Sequence, residues 1–230
     1  MPMQNAYMSD PSERSAKTAA ADQVNLAARL AARLCHDFIS PASAIVSGID
    51  LIEDPEQQDM REEAMMLITA SARKLAALLS FSRIAFGGSA ASESFDVREL
   101  ERLTRDVFDH ARAELVWSVT VASLAKPAAR ALLNLAQIGA TALPVGGQAH
   151  VGATQGPQGE THLSLDALGP RARLRPEAVD GLNGSPFGEG LGGQWVQAFF
   201  LRTVVDAAGG TLSLEIEDEA VRIRIALPAE

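Results

Sequence analysis

The spacing of apolar residues divides the chain into two parts. Between residues 19 and 86, leucine and alanine recur at intervals of three and four with few glycines, which predicts two long helices. The first is expected over Asp22–Asp54, because Asp22 is a suitable N-cap and Pro55 follows. The second is expected over Glu56–Phe86, ended by Gly87-Gly88. Each is about 45 Å long, so the pair predicts a helical hairpin.

Beyond the Gly/Ser/Ala spacer at residues 87–94, helical and alternating patterns are interleaved. The predicted strands are Leu115–Val121, Gln148–Ala153, His162–Leu168, Thr211–Ile216 and Val221–Leu227, and the predicted helices are Phe95–Ala113, Lys126–Leu143 and Gln194–Ala208. This mixture predicts an α/β sandwich domain over residues 89–230. The hairpin domain is expected over residues 21–88, after a disordered tail over residues 1–20.

The first predicted helix is amphipathic, and a histidine lies on its polar side. At 100° per residue, the stripe around His36 is polar apart from Leu51 at its edge, and it contains Arg29, Arg33, Ser40, Ser43, Ser47, Asp50 and Asp54. The opposite stripe is apolar and contains Ala27, Leu30, Ala31, Leu34, Phe38, Pro41, Ile45, Ile49 and Ile52. We therefore expect the imidazole of His36 to face solvent.

The second predicted helix carries an apolar row that includes Met60, Ala64, Leu67 and Leu78. Pairing two such helices covers only part of each apolar stripe, which leaves hydrophobic area in water. A second copy of the chain would close a four-helix bundle, so burial predicts a homodimer. A monomer in which the second domain covers the stripe is the alternative.

Charge and cysteine content exclude several kinds of partner and site. A net charge of −9 and a pI near 5.0 argue against nucleic acid or an anionic membrane as the main partner. The single cysteine, Cys35, rules out an internal disulfide and a cysteine-rich zinc site. The four histidines lack metal-ligand spacing, and neither a secretory signal nor an apolar run of about 18 residues occurs. We expect a cytoplasmic protein with no metal or cofactor of its own.

Pro41 follows His36 by five positions inside the first predicted helix. It removes one backbone hydrogen bond and is expected to bend or loosen the helix one turn beyond the histidine. An exposed, neutral imidazole is a nucleophile that can attack an aspartyl phosphate. The residues therefore suit a phosphoryl acceptor held on a helix.

The segment from Cys35 to Pro41 resembles the H-box of dimeric histidine kinases, in which an acidic residue follows the histidine. Residues 26–54 closely resemble the ChpT family of alphaproteobacterial histidine phosphotransferases, as do residues 72–87, 169–177 and 188–193. The resemblance implies a dimeric hairpin domain followed by a degenerate, GHKL-like kinase ATPase domain. It also implies a phosphorelay role, in which phosphoryl groups pass from the receiver domain of a hybrid histidine kinase to response regulators, with cell-cycle control downstream.

His36 is the expected phosphoryl acceptor within that resemblance. Asp37 is a candidate for orienting the ring, and Arg33 for adding positive charge near the phosphoryl group; a surface ion pair is the alternative for both. The receiver is expected to bring Mg²⁺, the phosphorylated aspartate and a cation.

The second domain resembles the kinase ATPase fold with its nucleotide residues altered. Asn134 fits the first asparagine of the N-box helix, but the metal-binding position falls at Ile138, which cannot coordinate Mg²⁺. Asp166 begins a poor copy of the adenine-binding box, whereas Gly190–Gly193 keeps the last glycine box. We therefore expect no ATP binding. An ATP-dependent histidine kinase and a non-catalytic scaffold that binds receivers are the alternative functions.

Arginines alternate in the segment after the third predicted strand. If that segment is extended, Arg171, Arg173 and Arg175 project from one side, toward acidic receiver residues or toward carboxylates of this chain. Together with Arg29, Ser40, Ser43 and Ser47 on the first helix, they are the candidate partner contacts. Gly184–Gly193 is expected to be a mobile loop, and the remaining histidines to be surface or packing residues.

Overall fold

A computed structural model describes residues 11–87, 93–185 and 195–229, with side chains from residue 22. The helical hairpin consists of α1 (Pro11–Glu53), a 3₁₀ turn (Pro55–Met60) and α2 (Arg61–Ala85). Asp54 caps the turn, because its carboxylate accepts a hydrogen bond of 2.9 Å from the backbone N–H of Glu56. The two helices pack closely at Gly48, where a Cβ would lie 2.6 Å from Cγ1 of Ile68.

The helix α1 begins earlier than the sequence pattern predicted. It starts at Pro11 rather than near Asp22, so residues 11–20 of the predicted disordered tail are helical. Proline is favoured in the first turn of a helix, and alanine at residues 16 and 19–21 continues it. Residues 1–10 of the predicted tail lie outside the described residues. The helix also continues through Pro41, whose side chain is buried.

The α/β domain is built on a mixed sheet of the five strands predicted from period-2 alternation: β2 (Ala113–Val119), β4 (Gly147–Gln155), β5 (Thr161–Leu168), β6 (Thr211–Glu217) and β7 (Ala220–Leu227). They lie in the order β2-β4-β5-β7-β6. The β2–β4 pair is parallel and the others are antiparallel. Leu163, Leu165 and Ala167 of β5 point into the core, whereas Asp166 lies on the opposite face beside Arg224.

Among the described residues of this domain there are four helices: α3 (Val97–Phe108), α4 (Lys126–Ala142), α5 (Pro176–Leu182) and α6 (Val196–Ala207). The helices α4 and α6 pack against the core face of the sheet. A second sheet pairs two short strands that the sequence did not predict, β1 (Ser94–Asp96) and β3 (Ser123–Ala125). The helix predicted at Phe95–Ala113 was therefore wrong at both ends. Asp96 starts α3 by accepting a 2.7 Å hydrogen bond from the N–H of Arg98, and Ala113 already belongs to β2.

The hairpin and the α/β domain share one hydrophobic core. Phe81, Ile84 and Ala85 at the end of α2 are buried in the same cluster as the sheet residues. The amide of Asn134 on α4 donates to the backbone oxygen of Ala85 at 3.0 Å, and Arg130 donates to the backbone oxygen of Gly87. This junction fixes the position of the α/β domain relative to α1.

Candidate functional site

His36 lies on the outer surface of α1, in an unbroken stretch of helix between Asp22 and Glu53. Its side chain is 78% exposed. Alanine and leucine flank it on α1 and favour helix over other conformations. The continuous helix presents an imidazole to solvent, as the helical pattern predicted.

Asp37 and Arg33 form a short chain of charges behind the imidazole. Oδ1 of Asp37 lies 3.5 Å from Nδ1 of His36, and Oδ2 lies 3.4 Å from Nε of Arg33. Burial lowers the pKa of the Arg33 guanidinium, and the neighbouring Asp37 carboxylate acts in the opposite direction. Because the Arg33 side chain is only 13% exposed, it holds Asp37 rather than projecting into solvent beside the histidine.

The predicted polar stripe of α1 continues beyond the histidine. Ser40, Ser43 and Ser47 are exposed on the same side of the helix as His36, and Arg29 is half-buried. Pro41 is turned away from this stripe, because its side chain is buried. The stripe is therefore an accessible polar surface.

A groove of about 470 Å³ lies between the two domains next to His36. We call it the acceptor groove; its lining residues are Arg33, His36, Asp37, Ser40, Lys74, Leu78, Val107, His110, Ala111, Arg112, Gln137, Ala140, Thr141, Leu143 and Pro144. One wall comes from α1 and α2, and the other from the C-terminal ends of α3 and α4 with the residues that follow them. Sequence reasoning missed Lys74, His110 and Arg112, since no local pattern links them to His36.

The segment with the three alternating arginines begins in a turn. Arg171 has a positive φ of 58°, because it lies in the turn after β5 that the N–H of Ala172 closes on the oxygen of Gly169. The segment is therefore not extended at Arg171, which was the condition for the expected row. Arg171, Arg173 and Arg175 are nevertheless all exposed, and the guanidinium of Arg175 lies 6.0 Å from the ring of Trp195.

The residues at the positions of a kinase nucleotide site do not fit Mg-ATP. The amide of Asn134 is fully buried and donates to the backbone oxygens of Ala85 and Arg130, at 3.0 and 2.8 Å. Ile138, at the metal position of the N-box pattern, is a buried apolar side chain. Oδ1 of Asp166 lies 2.6 Å from Nη2 of Arg224, on the face of the sheet opposite to α4. Residues 186–193 of the predicted glycine loop, Gly184–Gly193, lie outside the described residues.

Within the described ranges, no three histidine, cysteine or carboxylate side chains come together in a way that would hold a metal ion. The one cysteine, Cys35, is a free thiol on the exposed side of α1.

Comparison with known proteins identifies the family. The family model for the histidine phosphotransferase C-terminal domain matches residues 97–220, which is more than half of the chain. The chain belongs to the histidine phosphotransferase family. This histidine phosphotransferase is 30% identical over 199 residues to the protein phosphotransferase ChpT of Brucella abortus, and the match covers 86% of this chain and 93% of that protein.

A bacterial phosphotransferase of known structure has the same fold as this histidine phosphotransferase. The two share 30% sequence identity with a TM-score of 0.77, over 88% of this chain and 96% of the other. The histidine kinase AdeS of Acinetobacter baumannii is 14% identical, with a TM-score of 0.47 over 85% of this chain and 98% of that chain. The matches to ChpT and to the bacterial phosphotransferase structure confirm the resemblance to the ChpT family and the fold class, a helical part followed by an α/β domain.

Proposed function

We propose that this histidine phosphotransferase carries phosphoryl groups on His36 between receiver domains of a phosphorelay. It accepts them from the receiver of a hybrid histidine kinase and passes them to aspartates of response regulators. The observation that carries the proposal is the exposed imidazole of His36 on a rigid helix, with the Asp37 carboxylate 3.5 Å from its Nδ1 atom. A buried histidine could not meet a phosphoryl group held by another protein.

We propose separate tasks for the two ring nitrogens. Asp37 favours a proton on Nδ1, which leaves the lone pair on Nε2 free to attack. Nε2 forms a bond to phosphorus while the bond between phosphorus and the receiver's carboxylate oxygen breaks, and the electron pair stays on that carboxylate. The phosphorylated ring keeps its Nδ1 proton and is cationic, so the adjacent Asp37 stabilises it. Arg33 holds Asp37 in place for this task.

The partner supplies the remaining chemistry. A receiver domain brings Mg²⁺ and a cation to its own phosphorylated aspartate, so the carrier needs only a positioned nucleophile. The residues at the positions of a kinase nucleotide site make contacts within the fold instead. We propose that the chain neither binds ATP nor phosphorylates itself with ATP. Ser40, Ser43, Ser47 and Arg29 are proposed to contact the receiver beside His36. Arg171, Arg173 and Arg175 are proposed as a second contact region.

The exposed apolar residues of the hairpin support a homodimer. Val24, Ile39, Val46 and Ile49 of α1, and Met65, Met66, Leu67 and Leu79 of α2, are each at least 40% exposed. The α/β domain packs on the end of α2 and leaves these residues uncovered. A second hairpin would bury them in a four-helix bundle.

The segment Pro55–Ala85, which contains these apolar residues of α2, has the length and apolar content of a membrane span. We propose that it instead faces the second hairpin and that the protein is cytoplasmic. Neither nucleic acid nor membrane is a proposed partner, because the net charge is −9.

Transfer from a labelled receiver tests the proposed function. A phosphorylated receiver domain is mixed with the wild-type chain, with His36→Ala, and with Asn25→Ala as a control at an exposed position of the same helix. We expect acid-labile, base-stable label on the wild type and on Asn25→Ala only. Label from Mg-ATP without a partner would instead indicate a kinase. Receiver binding without label on the wild type would indicate a scaffold.

A further inference from the structure

The acceptor groove contains two cations that no local carboxylate neutralises. Lys74 comes from α2 and Arg112 from the residues just before β2, on opposite walls of the groove. Within the described part of the chain, neither has a carboxylate within ion-pair distance; Nη1 of Arg112 donates to the backbone oxygen of Pro144 at 3.0 Å. By contrast, Arg102 and Arg105 on α3 pair with Asp106 and Glu101.

The charge of the groove is therefore opposite to that of the whole chain. Its lining contains three permanent cations, Arg33, Lys74 and Arg112, and one carboxylate, Asp37. Arg33 is already paired with Asp37 at 3.4 Å. Two positive charges remain beside an imidazole, in a chain whose net charge is −9. Such an arrangement suits a ligand with two negative charges, because charge-assisted hydrogen bonds from lysine and arginine are strong at a phosphoryl group.

We propose that Lys74 and Arg112 bind the phosphoryl group of phosphorylated His36 from the two walls of the groove. This inference rests on the proposed function of His36. After the receiver and its Mg²⁺ have left, these two side chains are the cations that lower the free energy of the phosphohistidine. The α/β domain thereby contributes Arg112 to phosphoryl transfer without binding a nucleotide, and its fixed junction with α2 keeps that arginine across from the imidazole.

Two measurements on the full-length chain test this pair. The first is the equilibrium ratio of phosphohistidine to receiver aspartyl phosphate. The second is the titration of the phosphohistidine phosphoryl group by ³¹P NMR, since nearby cations lower the pKa of that group. The variants are Lys74→Gln and Arg112→Gln. Their controls are Arg73→Gln, exposed beside Lys74 on α2, and Arg102→Gln on α3.

We expect the equilibrium constant for phosphohistidine to fall about fivefold in each groove variant, and the phosphoryl pKa to rise. Both controls should match the wild type. If the equilibrium constant and the phosphoryl pKa are unchanged in both groove variants while the wild type labels normally, the role of Lys74 and Arg112 is refuted. His36 would then still be the acceptor. Weaker binding of the unphosphorylated receiver with an unchanged phosphoryl pKa would also overturn it, because the cations would then serve docking alone. Failure of the wild type to accept label would instead overturn the proposed function itself.

Discussion

Replacing Asn134 with alanine should weaken the junction between the hairpin and the α/β domain. The side chain is fully buried, and its amide nitrogen donates to the backbone oxygen of Ala85 at 3.0 Å. Its amide oxygen accepts a 3.2 Å hydrogen bond from Nε2 of Gln197. In an active nucleotide site an asparagine on this helix would face the ligand, whereas here it binds the end of α2.

The cost of this substitution follows from the groups left behind. Ala85 ends α2, so its backbone oxygen has no donor within the helix. An unsatisfied buried carbonyl costs about 1–3 kcal/mol. Gln197 keeps a second acceptor, Oε1 of Gln137 at 2.6 Å, so its loss is smaller. The higher helix propensity of alanine returns about 0.5 kcal/mol. We therefore expect the free energy of unfolding to fall by about 2 kcal/mol.

Urea denaturation followed by tryptophan fluorescence measures this change, because Trp117 and Trp195 both pack against the shared core. Asn25→Ala is the control, since Asn25 is exposed on α1 and its replacement should change stability by less than about 0.5 kcal/mol. Phosphoryl transfer to His36 should persist in folded Asn134→Ala. An Asn134→Ala chain as stable as the control would refute the role assigned to this junction.

Three further substitutions test separate parts of the structure. Gly48→Leu should lower the melting temperature measured by circular dichroism, because its Cβ would lie 2.6 Å from Cγ1 of Ile68 and force α1 from α2; unchanged melting would contradict that packing. Asp37→Asn should slow transfer from a phosphorylated receiver about threefold to tenfold while leaving the fold intact, and an unaltered rate would remove Asp37 from the mechanism. Val46→Lys, at a residue 57% exposed, should convert a dimer to a folded monomer in light scattering; a persistent dimer would place the interface elsewhere.

The local pattern of apolar and polar residues predicted much of the fold. In the strand β7, buried apolar residues occupy every second position from Val221 to Leu227, so its period was readable from sequence alone. The helix α4 was equally clear, since alanine and leucine recur through Lys126–Ala142. The short strand β1 was missed because its three residues have no period of their own and exist only through pairing with β3. The end of α3 was also missed, because the helical pattern did not show where α3 stops, four residues before β2.

In the functional site, too, local pattern predicted some features and could not predict others. The exposure of His36 follows from one helical wheel, so the sequence was sufficient to find the proposed acceptor. Arg33 was predicted to reach the phosphoryl group, but its burial depends on how α1 packs within the fold, which a single helix cannot reveal. Lys74 and Arg112 are 38 residues apart in sequence and approach His36 only because the two domains share a core. The turn at Arg171 likewise depends on a positive φ that no alternation predicts.

The location of the phosphoryl group tests the central claim most directly. The ¹⁵N-labelled wild-type chain is phosphorylated by a receiver domain, and nitrogen–phosphorus coupling is measured by NMR. The account predicts a single coupled nitrogen, Nε2 of His36, with the proton retained on Nδ1 beside Asp37. Phosphorus bound to any other side chain, or no phosphorus on the chain after receiver treatment, would contradict it.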